Sequence, residues 1–330
     1  MGIAIAVLAA MVAGLYLWQA WRQPLAPAAE GRVVALGTSV PESLARLKVA
    51  GLRHEGLFRL YLRLSGEDRR VRPGEIRLRS DWTMAQLANA MVSGPRVQYR
   101  ITFIPGQRFA DALRQLARAP KLRHEIRDVK QARKLLGVDH EEGQLLPETY
   151  FYQAGDSDAS VLKRAHRALW VYLQKAWPQR DKGLPLKSPY EALILASIVE
   201  KETGRADERP RIAGVFIRRL QKGMRLQSDP TTIYGLGDAF DGNLTRADLR
   251  RRTPYNTYRI NGLPPTPICL ASRASIDAVL HPTHEDALYF VARGDGTHEF
   301  SATLEAHNRA VRRYQKKRKR AEHARQIHHP

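Results

Sequence analysis

The sequence predicts an α+β protein with a single transmembrane helix at its N-terminus, a small α+β subdomain and a larger α+β domain. Three observations carry this. Residues 1–20 hold no charged side chain. Residues 31–100 alternate short strand-like and helix-like stretches, and longer segments of helical period follow from residue 101. At 330 residues the chain has room for about two domains.

The apolar run comes first. Twenty residues of helix span ~30 Å, the thickness of a bilayer's hydrocarbon core. Tyr16, Trp18 and Trp21 gather at one end of it, where aromatic rings favour the membrane–water interface. A core helix seldom stays apolar on every face for this length; the run is long for the apolar part of a cleaved signal peptide, though Ala26-Pro27-Ala28-Ala29 holds small residues that a peptidase accepts. Residues 1–21 are therefore read as an anchor and 22–30, rich in Pro and Ala, as a semi-rigid linker. No Lys or Arg precedes the anchor, while Arg22 and Arg32 follow it, which opposes an inside N-terminus only weakly because large domains translocate regardless. The chain is expected to be single-pass, with its mass on one side of the membrane.

In the module at 31–100, Val33–Leu36 reads as a strand, Pro41–Ala50 as a helix with Leu44 and Leu47 on one face, and Gly56–Leu64 as a second apolar segment. Pro73-Gly74 is a turn, Glu75–Leu78 a strand, and Thr83–Met91 a helix closed by Ser93-Gly94. Arg96–Phe103 alternates as a half-buried strand does. In the larger domain, 101–315, helices are expected at Phe109–Ala117, Val129–Leu136, Ala159–Lys175, Tyr190–Thr203 and Arg209–Lys222. A strand follows at Leu288–Ala292 and a helix from Leu304 to about Arg318. Residues 316–330 form a basic tail.

Composition narrows the chemistry. With 54 Lys+Arg against 33 Asp+Glu the chain carries +21, which favours acidic partners. Cys269 is the only cysteine, so neither an intrachain disulfide nor a Cys-based metal cluster can form. No metal or other cofactor is expected: Gly-rich phosphate loops, C-x-x-C pairs and G-x-S-x-G elbows are all absent.

The most informative position is Glu202. In the helix from Tyr190, residues Ala192, Ile194, Leu195, Ile198 and Val199 fall on one broad apolar arc at ~100° per residue. Glu202 lies within that arc, and Glu200 points away from it. A buried carboxylate is costly as an anion, so its pKa rises, as a general acid working near neutrality requires. A helix ending before Glu202, with Gly204 as its stop, would leave it solvated instead. Downstream, Gln227–Gly235 is polar and turn-prone yet carries Asp229 and Tyr234. Tyr255-Asn256-Thr257-Tyr258 then leads into Asn261–Pro265. Rings and amides on constrained loops suit sugars, whose faces stack and whose hydroxyls are read by amides.

These segments resemble the YceG-like endolytic murein transglycosylases. The resemblance rests on ASIVEKET (Ala196–Thr203), Glu208-Arg209, GVFIRRLQKGMRLQSDPTTIYG (Gly214–Gly235), YNTY (Tyr255–Tyr258), GLPPTPI (Gly262–Ile268), His298–Phe300, His307-Asn308 and EGQLLPETY (Glu142–Tyr150). It implies a bitopic protein of the bacterial inner membrane with its catalytic domain in the periplasm, and a LysM-like subdomain ahead of that domain. The implied activity is cleavage within nascent glycan strands of peptidoglycan, leaving 1,6-anhydro-N-acetylmuramic acid ends. The implied partners are glycan strands, the cell membrane and peptidoglycan synthases, not nucleic acid. The family's catalytic Glu falls on Glu202; Asp229, Tyr234, Tyr255, Asn256, Glu148, His298 and Asn308 are the expected substrate-binding residues. The chain departs from the family in having Ala271-Ser272 where a Pro-Gly is common, and Glu148 in place of Asp.

The expected mechanism uses one carboxyl group. Glu202 protonates the glycosidic oxygen, then takes the proton of the muramic C6 hydroxyl as that oxygen attacks C1 of the same sugar. The rival readings are a catalytically inactive, membrane-tethered glycan-binding scaffold, for which Glu202 is dispensable, and a basic nucleic-acid-binding protein, whose retention falls steeply with salt.

Overall fold

A computed structural model describes residues 29–314 throughout, together with residues 5, 8, 11, 12, 14, 15, 18 and 22–26. The expected anchor at 1–21 lies largely outside the described residues, and the basic tail lies wholly outside them. Among the described residues no helix is long and apolar enough to cross a membrane. Among the described residues the fold is mixed α+β, with helices and three two-stranded sheets. It divides into two compact units, one of them made of the chain up to Arg100 with Pro120–Arg123 and Phe151–Asp156, the other of the remainder.

In the smaller unit, β1 (Val33–Leu36) pairs antiparallel with β2 (Gly74–Arg77), Val34 opposite Ile76. Between them run α1 (Val40–Val49), capped by the Ser39 side chain on the Glu42 N–H, and α2 (Glu55–Leu64). α3 (Met84–Val92) follows, opened by a Thr83/Gln86 capping box. Leu44, Leu47, Phe58, Leu62, Ile76, Leu87 and Met91 form the core. One expectation needs correcting here. The segment read as a linker is built into this unit, with Leu25, Ala26 and Ala29 buried and Leu25 bonded through its backbone to Trp82 and Arg53. The proline and alanines masked a leucine that anchors the stretch, since one buried Leu contributes about 1.5–3 kcal/mol.

β3 (Gln98–Thr102) pairs with β4 (Thr149–Gln153). The sequence pattern found β3 but not β4, whose alternating Tyr150 and Tyr152 are its buried face. The larger unit continues with α4 (Phe109–Arg118), α5 (Val129–Leu136), α6 (Asp158–Ala176), α7 (Pro189–Glu202), α8 (Arg209–Gln221), α9 (Asp229–Leu236), α10 (Arg246–Arg250) and α11 (Arg273–Leu280). A hairpin of β5 (Tyr289–Ala292) and β6 (His298–Ser301) precedes α12 (304–314).

α7 is the hub of the larger unit. Ser188 caps it by accepting from the Glu191 N–H, Pro189 opens its first turn, and Thr203 leaves it in extended geometry. Every residue from Ala192 to Val199 is buried, against α8 on one side and α11 on another. The single apolar arc read from periodicity is therefore an underestimate, because the helix is enclosed on all faces. Even its Ser197 is used: the hydroxyl donates to Ile194 O at 2.7 Å and accepts the Ile268 N–H at 2.9 Å, fastening the GLPPTPI loop to the helix.

Candidate active site

Glu202 is the last residue of α7, so the helix does reach it. The side chain is half-buried and lines a cavity of about 370 Å³, within the size range of small-molecule sites. Ser228 Oγ donates to Glu202 Oε1 at 2.5 Å. Ser228 is itself immobilised. Its N–H donates to Thr257 Oγ1 at 2.9 Å, and its carbonyl accepts from Thr231 Oγ1 at 2.7 Å. Burial raises the Glu202 pKa from 4.5 to about 7; the Ser228 hydrogen bond opposes the rise, the Asp229 charge adds to it, and the Arg219 guanidinium opposes it. At neutral pH the group is thus divided between acid and carboxylate, as a proton donor that must later accept requires.

Two α9 features shape the opposite wall. Asp229, exposed at the start of the helix, accepts from Tyr258 OH at 2.7 Å, which with burial raises the tyrosine's pKa. Gln227, just before the helix, holds a left-handed backbone with φ of 51° and also faces the cavity. Arg219 of α8 is almost fully buried. Its Nε donates to Leu288 O at 2.7 Å and its Nη1 to Leu226 O at 2.6 Å, and its guanidinium lies 5.2 Å from the Tyr289 ring centroid. Burial lowers its pKa. Asn308 and His307 of α12 complete the rim.

Of the residues expected from sequence, Glu202, Asp229 and Asn308 share this cavity. Tyr234 and Tyr255 form a second group. Their ring centroids are 4.8 Å apart, Arg108 lies over Tyr234 at 4.7 Å, and Tyr234 OH donates to Glu142 Oε2 at 3.4 Å. Asn256 is fully buried: its amide nitrogen donates to Asp248 O, Leu249 O and Arg251 O, and its Oδ1 accepts from Tyr258 N–H and Thr232 Oγ1. It shapes the loop that carries Thr257 and Tyr258. Glu148 pairs with Arg273 at 2.6 Å, and His298 Nδ1 sits 2.7 Å from Glu208 Oε2; neither lines the cavity.

Ser228, Arg219, Gln227, Tyr258, Tyr289 and His307 were not among the expected site residues, although all but Tyr289 stand in the quoted motifs. Arg219 carried a signal. It stands three residues after Phe216 and seven after Ile212, on the buried stripe of α8, where a charge has to be paired or functional. Ser228 carried another: Ser-Asp-Pro is a helix start, with Pro230 in the first turn, and the segment read as turn-prone is α9. Glu200, two residues before Glu202, is held elsewhere. It accepts from Ser272 N–H and from the Ser272 and Ser275 hydroxyls at the start of α11.

The chain has relatives. An endolytic murein transglycosylase of Bacillus subtilis is 37% identical over 174 residues, covering 52% of this chain and 48% of that protein. One of Streptococcus pneumoniae serotype 2 is 33% identical over 177 residues, covering 52% and 31%. The chain thus spans less than half the length of these relatives. A crystal structure of a YceG-like protein from Listeria monocytogenes superposes with a TM-score of 0.52 at 29% identity, covering 84% of this chain and 98% of that one. The model of the YceG-like family matches residues 33–313, a span that holds the cavity and every residue lining it, and the chain belongs to that family.

Proposed function

We propose that the protein is a lytic transglycosylase that cleaves peptidoglycan glycan strands internally, with Glu202 as acid and then base. The observation that carries this is a carboxyl group with its pKa at about 7, hydrogen-bonded to one fixed hydroxyl and open to a cavity. The relatives named endolytic murein transglycosylase support the reaction class.

Protonated Glu202 donates to the glycosidic oxygen between N-acetylmuramic acid and N-acetylglucosamine as the C1–O bond breaks. The C6 hydroxyl oxygen of the same muramic residue bonds to C1, and its proton passes to the Glu202 carboxylate, restoring the acid. Tethering within one ring replaces an activated water. The Asp229 carboxylate, held by Tyr258, gives the cavity fixed negative charge that needs no rearrangement as the oxocarbenium-like charge develops, while Arg219 ties the cavity wall together through the Leu226 and Leu288 carbonyls. Ser228 holds the carboxyl group in line. Asp229, Gln227 and Asn308, exposed on the rim, are the groups positioned to hold glycan. Tyr234, Tyr255, Glu148 and His298 support the surrounding loops.

The β-α-α-β order of the smaller unit supports a LysM-like subdomain, and the charge-free N-terminal run supports a bacterial inner-membrane anchor with the larger unit in the periplasm. Peptidoglycan synthases are the partners that supply uncrosslinked strands. Digestion of purified uncrosslinked glycan, read by mass spectrometry, tests the proposal. Products lighter by one water than hydrolytic ones, absent with Glu202→Gln, are expected. Reducing ends would make it a hydrolase, and binding without cleavage would make it a scaffold.

A further inference from the structure

His307 is one of the cavity-lining groups for which the reaction above has no use. It sits in the second turn of α12, whose start is fixed by Thr303: its carbonyl accepts the His307 N–H at 3.0 Å and its Oγ1 the Ala306 N–H at 3.2 Å. The imidazole stacks on Tyr289, centroids 5.2 Å apart with 25° between planes, so the ring has one preferred plane. Its Nδ1 is buried with no hydrogen-bond partner among the described residues. Nε2 is not among the buried unpartnered atoms of the described residues, so it is the ring nitrogen with access to the outside, and the residue lines the cavity beside Glu202, Arg219 and Asp229.

The tautomer follows from these surroundings. A neutral imidazole carries one proton. A proton on Nδ1 would leave a buried N–H without an acceptor, rarer and costlier than a buried lone pair. Burial, and after it the Arg219 charge, disfavours the doubly protonated ring. The proton therefore belongs on Nε2, at the cavity face, held by a ring that cannot readily turn away from Tyr289.

We propose that His307 is a substrate-contacting residue that presents Nε2–H as a neutral donor to the acetamido carbonyl of a sugar bound beside the cleaved linkage. Among the uncharged oxygens of an N-acetylated glycan the amide carbonyl is the stronger acceptor, and a fixed neutral donor suits it better than a hydroxyl that can rotate. A neutral group there also leaves the Glu202 carboxyl without a competing proton source. The proposal rests on the glycan-cleaving reading above.

The test is a cycle pairing one side chain with one substrate group, made on the full chain in detergent. His307→Phe keeps the stack and removes the donor; His307→Gln keeps a donor. On N-acetylated strands, His307→Phe is expected to lower kcat/KM about tenfold, the loss of one uncharged hydrogen bond, and His307→Gln to recover most of it. On de-N-acetylated strands the two variants and wild type are expected to agree within about twofold, because removing either partner of a pair leaves nothing for the other to lose. Equal losses for His307→Phe on both strands would overturn the proposal. Where de-N-acetylated strands are not cleaved, the same cycle is read as Kd in a Glu202→Gln background. Histidine-selective ¹⁵N spectra give a second check, and a proton found on Nδ1 sinks the idea. If wild type makes no anhydro ends, the transglycosylase reading fails by itself, while the Kd cycle still decides whether His307 reads the acetyl group.

Discussion

Two carboxyl groups flank α9, Glu142 buried and Glu202 half-buried, and they differ in what holds them. Glu142 accepts from the Phe109 N–H at 2.8 Å, the Gly143 N–H at 3.3 Å and Tyr234 OH at 3.4 Å. Glu202, at the other end of the helix, accepts from the Ser228 hydroxyl and otherwise opens to a cavity beside Asp229. Burial raises both pKa values. The backbone amides around Glu142 work against that rise and give the carboxylate a structural use, as the bridge between α4, the EGQLLPETY segment and α9. Glu202 lacks backbone donors of this kind, and its proton is left available. The difference between a supporting carboxyl group and one proposed to react is thus the number and permanence of its donors more than its burial.

The comparison can be broken first by Glu202→Gln, expected to abolish anhydro-ended products with a loss of ~10³-fold or more while glycan binding persists. Glu142→Ala should keep those products and instead destabilise the fold by about 2–4 kcal/mol, since two backbone N–H groups lose their acceptor; thermal unfolding distinguishes the two.

Stability against pH sharpens it further. A carboxyl whose folded pKa lies above its unfolded one favours the fold below about pH 4.5 and loses that contribution as pH rises through about 7. Glu202→Gln should therefore match wild type near pH 4 and exceed it at pH 8 by up to about 3 kcal/mol. Activity should fall tenfold per pH unit above about 7 as the acid form is lost. Ser228→Ala has the smallest expected effect. It removes the hydrogen bond that lowers the Glu202 pKa, so the alkaline limb should move to higher pH with a several-fold drop in kcat.

How much of this was legible in the sequence varied with how local the cause is. Glu202 was found because helical period alone places it with Ile198 and Val199. Asp229 and Asn308 share its cavity, but the motif that holds Asp229 also carries Tyr234, which serves the loops instead, as does Asn256 in the YNTY turn. Asn256 illustrates the limit. Its amide has the chemistry to read a hydroxyl, and only the arrival of three backbone carbonyls decides that it reads the chain instead. β4 and α11 escaped although β3 and α5 are as short, because β4 begins within the EGQLLPETY segment and α11 follows a Pro-rich loop, where flanking turn residues obscure the period. Arg219 escaped because a charge on an apolar stripe reads as the stripe's edge until the carbonyls of Leu226 and Leu288 close on it.

The all-round burial of α7 bears on how the site yields. Helices enclosed on every side open only when most of the domain opens, so the amides of Ala192–Val199 should be among the last to exchange with solvent deuterium. Glu202 is mounted on the end of that slow element. Across the cavity stand Gln227 in a left-handed turn, an exposed Asp229, and α12 with the exposed Leu304 and Asn308. That wall should exchange early. On the proposed function, a strand of glycan entering between the two meets one side that does not give and one that does, so the carboxyl group keeps its position while the opposite rim adjusts to successive sugars.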